Sequence, residues 1–321
     1  MRVESKPTGL EVTWLTDSPH ISTYPWEWLY RSSYDPPVNR EATFGSLGRK
    51  TLWGSSINVS RPTVSYEEVM KNDVGVLKWL QKINEFGVCF VEGVPHTPEA
   101  TEALTRRIAF IRETKYGGFW DFTADLKHGD TAYTNLALAA HTDTTYLSDP
   151  CGLQLFHLLA HEGTGGYTLL VDGFYAASRL RELYPSHYQL LTQVKISAHA
   201  AGDADSLYIP TQPFSILGTD ISGRLVEVRY NNDDRSVLKG IDPTLVDEWY
   251  AALRSWNECL TSPDSEYWVK LSAGTAVIVD NHRVLHGRSA FTGKRRMCGA
   301  YIGADDWKSR LRVLSRADPG I

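Results

Sequence analysis

The sequence predicts a mainly β fold with helical decoration, arranged as a double-stranded β-helix, which is a jelly roll of the cupin type. From about residue 151 onward, most of the chain consists of short β-like runs separated by Gly, Asp and Asn turns. The chain has 321 residues, 42% of them hydrophobic, so it can fill one large core. Many short strands with a few packing helices are typical of two stacked sheets.

The first elements follow from composition and periodicity. Residues 1–64 are rich in Pro, Ser, Trp and Tyr and have no sustained periodicity, which predicts a short N-terminal segment. Residues 65–321 are predicted to form one domain of catalytic size. Within it, apolar residues at helical spacing predict helices at 66–86 and 98–112, and the run between them, 87–94, predicts a buried strand.

The later elements are predicted from apolar runs between turn residues. Helical spacing recurs at 174–184 and 243–260. The predicted strands of this half are the runs CGLQLFHLL, YTLLVD, RLVEVRY, TAVIVD and CGAYIG.

Charge and cysteine usage narrow the class of protein. The balance of 33 Lys and Arg against 38 Asp and Glu, without a long block of like charge, argues against a nucleic-acid partner. The four cysteines lie far apart with no CxxC pair, which fits neither a disulfide framework nor a thiolate zinc site. No apolar run approaches the length of a membrane span, and the first residues lack the pattern of a leader. We therefore expect a cytoplasmic protein, with a mitochondrial location as the alternative.

A His-x-Asp pair followed much later by a histidine on another strand is the order expected of a two-histidine, one-carboxylate metal site. Chance gives about 0.65 such pairs in a chain of this composition, and this chain has two, His128-Gly-Asp130 and His141-Thr-Asp143. The second pair is preferred because it lies just before the β-rich half, where a strand could hold both ligands. His286 is the preferred third ligand, since it follows the apolar strand TAVIVD and precedes a basic cluster at 294–296.

The segments HTDTTYLSDPCGLQLFHLLAHEGTGGYTLLVDGFYAA, RYNNDDR and DNHRVLHGRSAFTGKRRMCGAY resemble the γ-butyrobetaine hydroxylase and trimethyllysine dioxygenase branch of the TauD-like Fe(II)/2-oxoglutarate oxygenases. Within that branch, RETKYGGFW, GDTAYT, HTDTTY and HEGTGG are closer to the trimethyllysine dioxygenases. The resemblance covers roughly residues 75–316 and implies that His141, Asp143 and His286 ligate iron. It also implies that Arg295 and Thr168 hold the distal carboxylate of 2-oxoglutarate.

A quaternary ammonium cannot donate hydrogen bonds, so a site selects it with aromatic faces. The resemblance supplies such a cage from four residues: Tyr116, Trp120, Tyr133 and Tyr301. It also implies that Asn231 and Asn232 hold the substrate carboxylate. Asp130 occupies a position where γ-butyrobetaine hydroxylases tend to have a neutral amide, and we expect it to pair with the α-ammonium of trimethyllysine.

The resemblance implies hydroxylation of N6,N6,N6-trimethyl-L-lysine at C3, the entry step of carnitine biosynthesis, with Fe(II), 2-oxoglutarate and O2, and with ascorbate as reductant. The alternative is the same chemistry on γ-butyrobetaine or on another amino-acid-derived substrate of specialised metabolism. Two rivals come from other classes: a metal hydrolase whose triad activates water, which Arg295 and Thr168 argue against, and a non-catalytic binder of cationic ligands. The expected partners are a small cationic amino-acid substrate and a second copy of the chain in a homodimer, without nucleic acid or membrane.

The chain departs from the family pattern in three places. The family usually has an N-terminal zinc module, whereas residues 1–64 contain no cysteine and only one histidine, His20, so that module is shortened or absent. His282 stands where a tryptophan is usual, and residues 196–220 resemble the family only weakly. These departures bear on substrate, partners and dimerisation more than on the oxygenase chemistry.

Overall fold

The computed structural model describes residues 1–16, 18, 20–35, 47–123, 134–203 and 205–315. The chain divides into two compact units, Met1–Gly48 and Arg49–Ile321. The described residues of the first unit form an antiparallel sheet in the order β1-β2-β3, followed by helix α1. Its elements are β1 Arg2–Lys6, β2 Gly9–Trp14, β3 His20–Pro25 and α1 Trp26–Arg31. The sequence-based division at residue 64 stays a prediction.

The second unit contains the remaining strands and helices. In chain order these are β4 Thr63–Ser65, α2 Tyr66–Lys71, α3 Asp73–Phe86, β5 Val88–Glu92, α4 Pro98–Arg106, β6 Ile111–Arg112, β7 Phe119–Thr123, β8 Leu138–His141, β9 Leu153–Glu162, β10 Thr168–Asp172, α5 Gly173–Leu183, α6 Pro185–Gln193, β11 Lys195–Ile196, β12 Ala200–Asp203, β13 Ser206–Tyr208, β14 Phe214–Ser215, β15 Leu217–Thr219, β16 Leu225–Val228, α7 Val246–Leu260, β17 Tyr267–Val269, β18 Thr275–Asp280, β19 Val284–Arg288, β20 Lys294–Ile302 and α8 Ala304–Ser315. Short 3-10 turns occur at Ser55–Val59 and Pro243–Leu245.

Two sheets form the centre of this unit. The larger runs β4-β5-β18-β9-β20-β6, with β7 also pairing β20, and the smaller runs β17-β10-β19-β8. Their side chains share one buried cluster, in which Phe90, Val277 and Met297 of the larger sheet meet Leu170 and Val284 of the smaller. The sheets therefore face each other across a common core, as the predicted jelly roll requires.

Helices cover the outer faces. On the larger sheet, α3 contacts β5 and β18, and α4 contacts β9 and β20. On the smaller sheet, α5 contacts β10 and β19, and the apolar faces of α5, α6 and α7 join a second cluster that includes Leu169, Val171 and Leu285. Among the described residues, no helix is both long and apolar enough to span a membrane.

Two predicted helices differ from the observed ones. The prediction at 66–86 is two helices, α2 and α3, because Asn72 adopts an extended conformation and its side chain accepts hydrogen bonds from the amides of Val74 and Gly75. The prediction at 98–112 is too long, since α4 ends at Arg106 and residues 111–112 pair with β20 instead. Helices α6 and α8 were not predicted.

A buried ion pair joins four parts of this unit. Arg283, which is 0% exposed, donates from Nε and Nη2 to both carboxylate oxygens of Asp172 at 3.0 and 2.8 Å. Its remaining donors reach the carbonyl oxygens of Glu85 and Thr51. Asp172 also accepts hydrogen bonds from the amides of Trp53 and Phe174. The pair is thus fully hydrogen-bonded, which is what a buried charge requires.

We expect Arg283→Met to lower the free energy of unfolding by about 3–5 kcal/mol, because it leaves the Asp172 carboxylate buried without its partner. Urea denaturation followed by tryptophan fluorescence measures the change. As a control, Arg296→Met removes the exposed pair with Asp121 and should cost less than about 1 kcal/mol. Equal losses of unfolding free energy in the two variants would show that the buried ion pair stabilises the fold no more than the exposed one.

His157 is a second buried polar group, on the helix-covered face of β9. It is 0% exposed, its Nδ1 lies 2.7 Å from the hydroxyl of Thr101 in α4, and its Nε2 has no partner among the described residues. Burial, with a smaller effect of His96, lowers the pKa of His157 from 6.5 to about 4. The folded protein therefore contains the neutral imidazole.

Below pH 6.5 the unfolded chain takes up a proton at His157 that the folded chain binds only near pH 4, so stability should fall as the pH falls through this window. The loss between about pH 7.5 and about pH 5 should be about 2 kcal/mol. His157→Gln should lack this part of the pH dependence, measured by urea denaturation at both pH values. His20→Gln, which removes an exposed histidine, should keep it, and an unchanged slope in His157→Gln would refute the assignment.

Candidate active site

The two strands that hold the histidines are neighbours. His141 is the last residue of β8, and its Cα partner on the antiparallel strand β19 is His286. Asp143 follows two residues after His141. One ligand atom from each of the three side chains lies within 4.8 Å of the other two. The structure thus brings the three predicted metal ligands together at one end of the smaller sheet.

The Asp143 carboxylate has two differently engaged oxygens. Oδ1 lies 3.2 Å from Nε2 of His141 and 3.8 Å from Nε2 of His286. Oδ2 accepts hydrogen bonds from Nε2 of Gln154 at 2.6 Å and from the hydroxyl of Tyr301 at 2.9 Å. One oxygen therefore faces the histidines while the larger sheet, through β9 and β20, holds the other.

The backbone at Asp143 is fixed by Asn281. The Asn281 side chain accepts from the amide of Asp143 at 2.8 Å and donates to the carbonyl oxygens of Asp143 and Cys151 at 2.9 Å. The next residue, Thr144, has a φ of 57°, the one positive φ at a non-glycine position among the described residues. Its hydroxyl accepts from the amide of Cys151 at 2.9 Å. This strained turn is held in place by the loop that leads into β9.

Hydrogen bonding and burial set the protonation of the three groups. Nδ1 of His141 lies 2.8 Å from the carbonyl oxygen of Ala139, so an N–H there directs Nε2 toward Asp143. Burial alone would lower the pKa of His141, but the hydrogen bond and charge of Asp143 outweigh it and raise the pKa. Burial lowers the pKa of His286 to about 3. For Asp143, burial would raise the pKa, but the two histidines and the Tyr301 hydroxyl lower it well below its usual range.

This donor set fits a divalent iron. Two imidazole nitrogens and one ionised carboxylate oxygen on one side of a cavity are the ligands of the non-haem Fe(II) facial triad. Nδ1 of His286 is buried without a partner among the described residues, and Nε2 faces Oδ1 of Asp143 at 3.8 Å, beyond hydrogen-bond distance. Asp143 in turn has the outer hydrogen bonds that a metal-ligating carboxylate usually shows.

A buried arginine lies nearby without a carboxylate partner. Arg295 is 6% exposed, has no ion pair among the described residues, and its Nε has no hydrogen-bond partner there. Burial, with the neighbouring charge of Arg288, lowers the pKa of Arg295 to about 10. Its aliphatic part packs on Gly166, where an added Cβ would lie 3.4 Å from Cδ of Arg295. A buried guanidinium of this kind is suited to a bound carboxylate.

Arg288 and Thr168 lie beside Arg295. Thr168 in β10 and Arg288 in β19 are Cα partners, and both are buried. The guanidinium of Arg288 donates to the carbonyl oxygens of Thr134 and Leu136, and both arginines lie over the ring of Phe291. Both predicted cosubstrate residues, Thr168 and Arg295, thus lie beside Arg288, a buried arginine that the sequence reasoning did not single out.

Three of the four predicted cage residues are close together. Trp120 and Tyr301 have ring centroids 6.4 Å apart, and Tyr116 packs against the same cluster. An added Cβ at Gly299 would lie 2.4 Å from Trp120, so this glycine makes room for the indole. Tyr133 lies outside the described residues, and so does Asp130.

The two predicted asparagines differ in position. The backbone of Tyr230 is bonded to Thr142, between the metal ligands, which places the half-buried Asn231 next to the site. Asn231 accepts from the amide of Asp233. Asn232 is exposed and accepts from Nε of Arg235 at 3.3 Å.

Sequence reasoning missed three polar residues near the candidate metal ligands, two of which hydrogen-bond Asp143. Gln154 is the polar residue of the apolar run CGLQLFHLL, and Asn281 follows the last residue of β18. Arg288 stands two positions after His286 on the same strand, and so on the same face. The position of each residue in its run was visible in the sequence, but the residue that it contacts was not.

Comparison with known proteins shows the family of this chain. The family model "Taurine catabolism dioxygenase TauD, TfdA family" matches residues 47–301. The chain belongs to this dioxygenase family. It is 42% identical to a trimethyllysine dioxygenase of Meyerozyma guilliermondii, over 98% of this chain and 81% of that protein. It is 41% identical to the human trimethyllysine dioxygenase, named mitochondrial, over 96% and 72% of the two chains.

More distant relatives mark the limits of the likeness. A human γ-butyrobetaine dioxygenase is 28% identical over 94% of this chain and 79% of its own. The crystal structure of a taurine dioxygenase from Burkholderia xenovorans superposes with a TM-score of 0.56 at 14% identity, over 81% of this chain and 93% of that one. That likeness bears on the fold alone and confirms the predicted jelly roll of the family member described here.

We expect Tyr301→Phe to weaken Fe(II) binding about tenfold, because Asp143 loses a hydrogen bond to the oxygen that does not face the histidines. Metal titration of the apoprotein, with Co(II) absorbance as a second readout, measures the change. Tyr30→Phe, at an exposed tyrosine, should leave the affinity unchanged. Unchanged affinity in Tyr301→Phe would mean that Gln154 alone orients the carboxylate.

Proposed function

We propose that this chain is an Fe(II)- and 2-oxoglutarate-dependent dioxygenase that hydroxylates N6,N6,N6-trimethyl-L-lysine at C3. The observation that supports this most is the joint presence of the triad and of a buried Arg295, which has no ion pair among the described residues, in a chain 41–42% identical to proteins named trimethyllysine dioxygenase. The lower identity to the γ-butyrobetaine dioxygenase, 28%, favours trimethyllysine over the alternative substrate.

Each part of the site has a task in this reaction. His141, Asp143 and His286 hold the iron, which, when bound with 2-oxoglutarate and O2, supplies the oxidant that replaces C–H by C–OH. Arg295 and Thr168 bind the distal carboxylate of 2-oxoglutarate and so fix its orientation. Phe156, whose ring centroid is 5.0 Å from that of His286, keeps this wall of the site apolar. Holding the target carbon in place while excluding water is the protein's contribution to rate.

The substrate ends are assigned to polar and aromatic groups. The faces of Tyr116, Trp120 and Tyr301, together with Tyr133, receive the trimethylammonium group. Asp130 pairs with the α-ammonium, and Asn231 with Asn232 are the sequence-based candidates for the carboxylate.

Asp130→Asn should impair trimethyllysine turnover far more than 2-oxoglutarate binding. Equal effects on both would contradict the pairing of Asp130 with the α-ammonium.

Ascorbate as reductant, the homodimer and the compartment stay predictions. Mammalian relatives are named mitochondrial, which supports the alternative location more than the cytoplasmic one. The family match favours a dioxygenase over the metal hydrolase and over the non-catalytic binder.

The first test incubates the purified protein with Fe(II), ascorbate and 2-oxoglutarate, and with trimethyllysine or γ-butyrobetaine in parallel. Succinate and the substrate mass are followed. We expect hydroxylation of trimethyllysine and little of γ-butyrobetaine. Release of succinate without hydroxylation of either compound would support the oxygenase activity but contradict the assignment of trimethyllysine as the substrate.

We expect Arg295→Met to raise the KM for 2-oxoglutarate at least about a hundredfold, because the distal carboxylate loses a buried charge-assisted hydrogen bond. Initial rates at varied 2-oxoglutarate measure it. Lys294→Met, at the exposed neighbouring residue of β20, is the matched control and should change the KM little. A similar KM in both variants would place the cosubstrate elsewhere.

A further inference from the structure

The turn that follows Asp143 carries a metal ligand at one end and part of a cavity wall at the other. Asp143 belongs to the triad. Thr144, Tyr146 and Leu147 line a cavity of about 270 Å³. The conformation of this turn therefore determines how the cavity lies beside the metal ligand.

A buried arginine holds this turn. Arg229 is 6% exposed, and its guanidinium carbon lies 3.7 Å from the ring centroid of Phe214. Its Nε and Nη2 donate to the carbonyl oxygen of Thr145 at 3.1 and 2.5 Å, and Nη2 also donates to the carbonyl oxygen of Leu147. These two carbonyl groups flank Tyr146 in the chain. The guanidinium thus fixes the backbone on both sides of that tyrosine.

The backbone next to Arg229 holds the chain on the other side of Asp143. The amide of Thr142 donates to the carbonyl oxygen of Tyr230 at 2.7 Å, and the amide of Tyr230 donates to the hydroxyl of Thr142 at 2.9 Å. Burial lowers the pKa of Arg229 to about 10, so its side chain stays charged at neutral pH. Residues 229–230 therefore hold the chain before and after the metal ligand, and they do so with a charged donor.

Tyr146 connects this turn to a residue of the predicted cage. It is 6% exposed, and its hydroxyl lies 3.4 Å from that of Tyr116. The ammonium nitrogen of Lys115 lies 5.1 Å from the ring centroid of Tyr116 and 5.5 Å from that of Tyr146. A cation shared by two rings attracts both of them. A displacement of Tyr146 would therefore also disturb Tyr116.

We propose that Arg229 is a positioning residue of this site, which fixes Tyr146 and, through it, the cage residue Tyr116 beside the metal ligand. The proposal rests on the proposed function, in which Tyr116 receives the trimethylammonium group. Asp143 itself has three other supports: Asn281, Gln154 and Tyr301. Arg229 therefore governs the placement of the substrate more than the binding of the metal.

The first test uses Arg229→Lys, which keeps the charge but loses the planar fork that reaches two carbonyl oxygens. We expect the Kd for trimethyllysine to rise about tenfold, measured by calorimetry on the Fe(II)- and 2-oxoglutarate-loaded protein without O2. Succinate released per hydroxylated product should rise about threefold, because the target carbon is held less firmly. The KM for 2-oxoglutarate and the affinity of the apoprotein for Co(II) should each change less than about twofold.

Arg61→Lys is the matched control. The guanidinium of Arg61 also lies over an aromatic ring, 4.7 Å from the centroid of Phe90, but that ring belongs to β5. This variant should leave the Kd for trimethyllysine and the succinate ratio unchanged. An unchanged Kd in Arg229→Lys, or an equal rise in its KM for 2-oxoglutarate, would overturn the proposal.

A second variant tests whether Arg229 acts through Tyr146. Tyr146→Leu should weaken trimethyllysine binding at least as much as Arg229→Lys does. The double variant should bind no more weakly than Tyr146→Leu alone, because both substitutions remove one shared effect. Additive losses in the double variant would refute an action through Tyr146.

The crystal structure of Arg229→Lys tests the positioning without any substrate. We expect Tyr146 to move away from Tyr116 while Asp143 stays in place, and an unmoved Tyr146 would contradict the proposal. A wild-type protein that neither binds nor hydroxylates trimethyllysine would contradict the proposed function instead. The position of Tyr146 in the variant would still decide whether Arg229 is a positioning residue.

Discussion

The candidate metal site depends on one half-buried carboxylate, that of Asp143, which must stay ionised. Burial opposes the charge of Asp143, and two histidines and a tyrosine hydroxyl offset that opposition. The histidines come from β8 and β19 of the smaller sheet, while Gln154 and Tyr301 come from β9 and β20 of the larger. The groups that stabilise the carboxylate therefore meet only when the two sheets close on each other. The candidate metal site therefore depends on both sheets.

Two buried arginines show how this fold separates stability from function. Arg283 directs its donors to Asp172 and to two carbonyl oxygens, so its charge is fully satisfied within the protein. Arg295 is buried to a similar degree but has no carboxylate partner among the described residues. Nε of Arg295 has no hydrogen-bond partner among the described residues, and the carboxylate of 2-oxoglutarate, as proposed above, would supply one.

The features that could be predicted from the sequence were those that depend on the local residue pattern. The apolar runs at β9, β10, β18 and β20 were recognisable because strand burial leaves a continuous hydrophobic signature. The choice of His141 and Asp143 over the earlier pair also came from local context. The partners Gln154 and Asn281 were not predictable, because contacts between distant segments depend on strand register, which local pattern does not specify. The prediction of one helix over 66–86 was wrong for the opposite reason. The apolar helical spacing continues through Asn72, but the side chain of Asn72 caps a new helix there.

Tyr301 links the metal site to the aromatic wall. Its hydroxyl donates to Asp143, while its ring lies beside Trp120. These are separate properties of one side chain, because the hydroxyl lies in the ring plane and the electron-rich faces lie above and below it. A cation on the ring face does not compete with the hydrogen bond at the ring edge. Under the proposed function, this one side chain would both orient the candidate metal ligand Asp143 and present its ring face to the quaternary ammonium.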